Sequence, residues 1–229
     1  MVGSLQVVAI LPAYNLERSI AGIVERTRPF VDYVLVVADG SGDGTAAAAR
    51  AAGAIVPEAE SVRGKGFAII KGIAESRKLS PDVVVLMDSD GQHLPEEIPV
   101  LLKPLEEGRA DLVSGSRMLG TLRTSRVNVV GNWGLKIISF LVTWRWLTDT
   151  ETGYRAFRAE ALYAIPLRSR GYEIETELML RAMYRKLRIV EVPITVPFAM
   201  PGVTVWDGFK VGWYKVRMGL RLRFGLEPA

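Results

Sequence analysis

Between residues 5 and 115 this sequence alternates, with short apolar runs giving way to stretches of helical period, and that alternation limits the folds open to it. LQVVAIL (5–11), YVLVVA (33–38), VVVLM (83–87) and Ala110 to Ser114 read as buried strands, with a shorter one expected at 54–56. Between them lie helical patterns: Ile20, Ile23 and Val24; the alanine-rich run Ala46 to Ala52, stopped by Gly53; Phe67, Ile70 and Ile73; and residues 95–107, which open on Pro95, Glu96 and Glu97. Such alternation predicts an α/β fold, an open and mostly parallel sheet with helices on both faces. At 229 residues the chain is expected to form a single domain.

Ligands of open α/β sheets bind at the carboxyl ends of the strands. The run VVVLMDSDGQH (83–93) places Asp88 and Asp90 there, with Gln92 and His93 one step on. Two carboxylates on one bend repel unless a cation or protons offset them. Hard divalent ions are held by one or two carboxylates plus substrate phosphates, so the pair reads as a metal–diphosphate site. Taken alone it reads equally as a turn, since Asp90-Gly91 is a turn dipeptide. The other strand ends carry Pro12, Ala13, Tyr14, Asn15 and Glu17, and then Asp39-Gly40-Ser41-Gly42-Asp43-Gly44. The second loop lacks the full Gly-x-Gly-x-x-Gly spacing, and its aspartates would repel a pyrophosphate, which argues against a dinucleotide fold. Asp39 suits hydrogen bonds to a base or ribose. Lys65, between Gly64 and Gly66 before a helix, can approach a phosphate, although no Ser or Thr follows it as a P-loop requires.

Several chemistries are excluded. With no cysteine there is no disulfide, thiolate nucleophile or Cys-ligated zinc, and with His93 the only histidine there is no two-histidine metal site. A net charge of +4 suggests an anionic partner without naming one, and nucleic acid is not expected. The N-terminus lacks the basic region of a signal peptide, and no apolar stretch reaches the roughly 20 residues of a membrane span.

After residue 115 the character changes. Residues 119–128 are polar and basic, with Arg123 and Arg126. Residues 129–147 read as a long apolar helix bearing Trp133, Trp144 and Trp146, and a polar turn runs from Asp149 to Arg155. Residues 172–185 read as a helix and 188–196 as a strand. Within the one domain, residues 5–115 form the expected nucleotide and metal half, 116–205 an acceptor half, and 206–229 an amphipathic C-terminal helix. On that helix Phe209, Trp213, Val216, Leu220 and Phe224 make one stripe. Val211, Tyr214, Met218 and Leu222 make a second, with Lys210, Arg217 and Arg221 between them. One stripe can face protein and the other a bilayer interface. Core packing of both stripes is the alternative.

PAYN-x-E, ADGSGDGT, RGKG-x-A and DSDGQH occur in that order, each at a strand end or helix start. Together they resemble the family 2 glycosyltransferases of GT-A fold, most closely the dolichyl-phosphate mannose synthase group. The resemblance runs from about Val7 to Pro193. It includes Gly115-Ser116-Arg117, Asp149-Thr150-x-Thr152-Gly153-Tyr154-Arg155, Glu175-x-Glu177-Leu178 and Glu191-Val192-Pro193. The resemblance implies nucleotide contacts at Pro12, Ala13, Tyr14, Glu17 and Asp39; Lys65, Asp88 and Ser89 are further candidates for the nucleotide. It implies Mg²⁺ or Mn²⁺ on Asp88, Asp90 and Gln92, with Asp90, Arg117 and Asp149 at the reaction centre. Arg117 falls near an acceptor phosphate, and Arg123 and Arg126 are candidates to assist it.

The sequence departs from the family in places. Ala38 precedes Asp39 where a second aspartate is usual, and Glu151 stands where glutamine is usual. After Pro193, Ala199, Gly202, Thr204 and Val205 replace an arginine and Gly-x-Ser-Lys. No counterpart of the transmembrane helices of some members is expected in these residues.

The implied activity is inverting transfer of mannose from GDP-mannose to a polyprenyl (dolichyl) phosphate. UDP-glucose or another sugar nucleotide is the alternative donor, and a sugar-nucleotide nucleotidyltransferase or a non-catalytic nucleotide-binding module are the alternatives of different class. An anionic phosphate acceptor needs little general-base help; Asp149 would orient the sugar, or serve as base for a hydroxyl acceptor. The implied location is cytoplasmic and peripheral, on the inner face of a membrane, held by its surface or by a membrane partner protein.

Overall fold

The computed structural model describes residues 5–38, 40–58, 64–120, 137–197 and 205–228, without the side chains of 205–209. A six-stranded sheet carries β1 (Val7–Pro12), β2 (Tyr33–Val37), β3 (Val83–Leu86), β4 (Leu112–Ser116), β5 (Arg155–Arg158) and β6 (Ile189–Pro193). Their spatial order is β2-β1-β3-β5-β4-β6. The pairs β1–β2, β1–β3 and β4–β6 are parallel, whereas β5 runs antiparallel to both β3 and β4. The expected strand at 54–56 reduces to one bridge between Leu35 and Ile55. The sheet is thus mixed, with β5 the one reversed strand.

Helices cover both faces because the strands alternate two apolar sides. Val7, Ala9, Leu11, Val34, Val36, Val83 and Val85 point to one side. There they meet α1 (Ile20–Thr27), α2 (Thr45–Ala51) and α4 (Ile98–Glu106). Val8, Ile10, Leu35, Val37, Val84 and Leu86 point to the other. There they meet α3 (Lys65–Ser76), α6 (Ala159–Tyr163) and α7 (Ile174–Tyr184).

Two helical stretches lie outside the sheet layers. Of the helix expected over 129–147, residues 137–143 are helical (α5), residues 129–136 lie outside the described residues, and the helix ends at Trp144 with φ +56°. The terminal α8 (Val205–Arg223) packs Met218 and Leu222 against Leu180 of α7 and Val142 of α5. Gly219 allows that approach, since a Cβ there would stand 1.9 Å from Val142. Trp213 and Leu220 are exposed on the opposite side of α8, as is Phe224 just past its end.

Candidate active site

The two aspartates of DSDGQH leave the carboxyl end of β3, beside the loop that follows β1. Ser89 Oγ donates to the Pro12 carbonyl, joining these loops. The β1 loop is tied in turn to the loop after β2. The Asn15 N–H donates to Ser41 Oγ (3.1 Å), the Leu16 N–H to Thr45 Oγ1 (2.7 Å) and the Glu17 N–H to Asp43 Oδ2 (3.2 Å). The loop from Pro12 to Glu17 therefore lies between the loop after β2 and the loop carrying Asp88, Ser89 and Asp90. Tyr14 is exposed.

Lys65 stands at the start of α3 and turns toward the loop that follows β3. Its ammonium lies 2.7 Å from Asp88 Oδ1 and also contacts Glu175 Oε1 of α7. The Gly66 N–H donates to the Arg170 carbonyl (2.9 Å), which seats this helix start against the chain leading to α7. Burial alone would lower the Lys65 pKa, but Glu175 and Asp88 raise it above the usual lysine value. Burial pushes the Asp88 carboxyl up, and attraction to the Lys65 ammonium and the Arg155 guanidinium brings it below the ordinary range. Glu175 is pushed up by burial, and no backbone or hydroxyl donor among the described residues reaches either of its oxygens.

The reversed strand β5 closes the site. Its register sets Arg155 opposite Leu86, so Gly153 and Tyr154 come beside Met87 and Asp88. A Cβ on Gly153 would lie 2.6 Å from Asp88 Oδ2 and 2.9 Å from Glu175 Oε1; only hydrogen fits. His93 stacks on Tyr154 with centroids 4.8 Å apart, and its Nδ1 accepts the Asp88 N–H at 3.0 Å. That acceptor role puts the ring proton on Nε2. Burial lowers the His93 pKa, so the imidazole is neutral.

Arg117 and Asp149 meet at the end of β4. Arg117 Nε donates to Asp149 Oδ2 (2.6 Å) and Nη2 to Oδ1 (2.9 Å). Burial pushes the Asp149 carboxyl up, and the Arg117 guanidinium outweighs this and holds it below the usual range. Glu191 of β6 accepts the Thr148 and Asp149 N–H groups at 2.7 and 2.9 Å, pinning the turn behind the pair.

The oxygens on offer suit a hard divalent cation. Asp88 and Asp90 supply carboxylates, and Gln92 an amide oxygen. Asp90 is exposed, with the Gln92 N–H on its Oδ1 at 2.9 Å. No group of three or more His, Cys, Asp or Glu gathers for a metal among the described residues. An ion here would therefore need diphosphate and water to complete its shell, the habit of Mg²⁺.

The chain has counterparts among known proteins. Residues 8–165 match the model of glycosyl transferase family 2. The chain belongs to this family. The transferase is 35% identical to the undecaprenyl-phosphate mannosyltransferase of Micrococcus luteus, over 97% of this chain and 100% of that one. It is 31% identical to the UDP-N-acetylglucosamine–dolichyl-phosphate N-acetylglucosaminyltransferase of Methanococcus voltae, over 91% of this chain and 94% of that one. Its fold matches glucosyl-3-phosphoglycerate synthase of Mycobacterium tuberculosis, solved in complex with Mg²⁺ and UDP. The TM-score is 0.75 at 26% identity, covering 97% of this chain and 80% of that one. The fold is therefore GT-A.

Among the residues named from the sequence, the transferase gathers Pro12, Lys65, Asp88 and Ser89 at one point, with Asp90 and Gln92 on the same loop. It joins Arg117 to Asp149. Asp39, Arg123 and Arg126 lie outside the described residues. Glu175, Gly153, His93 and Glu191 also shape the site, though the sequence alone assigns them no role. Glu175 and Glu191 belong to sequence motifs already noted, and His93 was the lone histidine. Only their burial against Lys65, Thr148 and Asp88 gives them work.

Proposed function

We propose that this transferase moves mannose from GDP-mannose to the phosphate of a polyprenyl phosphate, with inversion at the anomeric carbon. The end-to-end match to an undecaprenyl-phosphate mannosyltransferase, 97% of one chain and 100% of the other, carries this reading. A phosphate oxygen of the acceptor attacks the anomeric carbon, the bond from that carbon to the diphosphate breaks, and GDP departs. Such an acceptor is already anionic and calls for no base. The arrangement at Asp149 agrees: a carboxylate clamped by Arg117 with a lowered pKa is a poor proton acceptor near neutral pH. Asp149 instead aims the guanidinium, whose remaining edge suits an anionic oxygen.

Asp88, Asp90 and Gln92 would hold Mg²⁺ or Mn²⁺. Bound there, such an ion neutralises charge on the diphosphate leaving group. Lys65 adds a fixed positive charge beside Asp88. Pro12, Ala13, Tyr14 and Glu17 face the nucleoside. The transferase works peripherally at a membrane surface, on the cytoplasmic side; Trp213, exposed on α8, and Phe224, exposed just past its end, support the surface contact.

A UDP-sugar donor is the second reading. It is favoured by the Methanococcus voltae relative, named for a UDP-sugar, and by the UDP held in the matched crystal structure. Incubating the protein with polyprenyl phosphate, Mn²⁺ and radiolabelled GDP-mannose, UDP-glucose or UDP-N-acetylglucosamine separates the two. Lipid-linked mannose from GDP-mannose is expected. Label from a UDP-sugar only would move the donor and keep the acceptor. No lipid-linked product from any donor would overturn the acceptor.

A further inference from the structure

The terminal helix carries a charge where its packing face should be apolar. Lys215 is 1% exposed, in line with Met218 and Leu222 on the buried side of α8. A buried ammonium needs an acceptor for each of its three protons. Lys215 Nζ donates to Ser139 Oγ of α5 at 2.7 Å and to Thr150 Oγ1 at 2.8 Å, and it pairs with Glu151 Oε1 at 2.6 Å. Two of these three partners belong to the turn that carries Asp149.

The turn passes this grip onward. The Glu151 N–H donates to Asp149 Oδ1 at 3.2 Å, the oxygen that also receives Arg117 Nη2. Glu151 Oε2 accepts from Thr176 Oγ1 of α7 at 3.1 Å. The Thr150 carbonyl accepts Arg155 Nη2 at 2.9 Å, and Arg155 Nη1 donates to the Glu175 carbonyl at 2.9 Å. A continuous set of polar contacts therefore runs from α8, through Glu151, to the Arg117–Asp149 pair. On the far side of the same helix Trp213 and Leu220 face outward.

We infer that Lys215 is a positioning residue: by holding Thr150 and Glu151 it couples the seating of α8 to the Arg117–Asp149 pair, so the terminal helix governs use of the acceptor and not of the donor. This rests on the proposal that the acceptor phosphate is bound at Arg117. A hydrophobic side chain would pack against Met218 and Leu222 equally well, and an apolar core needs no lysine. What the ammonium adds is direction, because hydrogen bonds fix the turn where apolar contact would let it slide.

The test uses the full chain carrying Lys215→Met together with Glu151→Gln, so that no buried carboxylate is left without its cation. Hydrogen–deuterium exchange over residues 148–154 is compared with wild type, alongside steady-state kinetics for donor and acceptor separately. The expected result is at least tenfold faster exchange in that segment, a fivefold or greater rise in acceptor KM, and a donor KM within twofold of wild type. Unchanged exchange overturns the inference, and so does a parallel loss for donor and acceptor, which a merely structural role would give. If the wild-type protein transfers nothing to polyprenyl phosphate, the acceptor assignment fails. Exchange at 148–154 then decides the coupling by itself. If the double variant does not fold, Lys215→Arg is measured in the same two ways, with retained protection and acceptor KM expected and loss of both overturning the inference.

Discussion

Arg117 grips Asp149 with both prongs of its guanidinium edge, at 2.6 and 2.9 Å, while the Arg117 backbone N–H donates to the same carboxylate at 3.2 Å. The relationship makes Asp149 a fixture of the arginine. It also gives the pair a defined pH dependence. Folding lowers the Asp149 pKa, so the stabilisation is present above the unfolded value, about 3.9, and is lost as pH falls through the lower folded value. Asp149→Asn should cost about 1–3 kcal/mol near neutral pH and flatten the acid limb of the stability curve. Denaturant unfolding between pH 3 and 7 checks it. The rate profile of wild type should show no ionisation of Asp149 from pH 5 to 8.

Arg117→Ala should act on the acceptor. Acceptor KM is expected to rise or kcat to fall by at least tenfold, with nucleotide affinity near wild type. Calorimetric titration of GDP beside steady-state kinetics separates the two effects.

Asp90→Ala should abolish Mn²⁺-dependent nucleotide binding. Asp90 is exposed and makes no ion pair among the described residues, so its loss should leave thermal stability within about 0.5 kcal/mol of wild type. Titration of GDP with and without Mn²⁺ reads the first effect, and a melting curve the second.

Lys65 stands between two carboxylates, so Lys65→Met leaves Asp88 and Glu175 together without the one cation that pairs with both. Breaking such a pair should cost about 3–5 kcal/mol. A divalent ion on Asp88 would offset part of that cost. Mn²⁺ is therefore expected to raise the Tm of the variant more than that of wild type. Equal shifts would separate Lys65 from the metal site.

Gly153→Ala should be damaging out of proportion to one methyl group. The new Cβ would meet Asp88 and Glu175 inside 3.0 Å, and the neighbouring β5 backbone cannot retreat from a six-stranded sheet. A cost of about 1–3 kcal/mol is expected, with weaker Mn²⁺-dependent nucleotide binding.

The outer stripe of α8 gives a last test. Trp213 and Phe224 are each 70% exposed, so Trp213→Ser with Phe224→Ser should leave the fold intact. Flotation with anionic vesicles should show at least tenfold weaker association, equivalent to about 1.4 kcal/mol. Equal flotation of the variant would remove this stripe from the membrane contact.

Much of this site could be read along the chain, and the reasons are local. Val83 to Leu86 is a run of four buried aliphatic residues, and Asp88 and Asp90 follow it within reach of one bend. Pro12 and Ala13 end β1 in the same way. Strand β5 could not be read. Arg155–Arg158 carries arginine at both ends, and its reversed direction depends on pairing with β3 and β4, both distant in sequence. Nor does any local pattern reveal that Lys65 meets Glu175, or that Lys215 turns inward while Trp213 turns out. Helical period places two stripes on α8, but which stripe is covered depends on where α5 and α7 lie.

The sequence by itself determined the alternation of strands and helices, the strand ends at which the candidate site forms, and the acids offered there, because these follow from side-chain period and from where apolar runs stop. The tertiary structure alone decided which charges are spent on one another. Lys65 with Asp88 and Glu175, Arg117 with Asp149, and Lys215 with Glu151 pair across long stretches of chain, because burial makes an unpartnered charge costly and the reversed strand brings their loops to one end of the sheet.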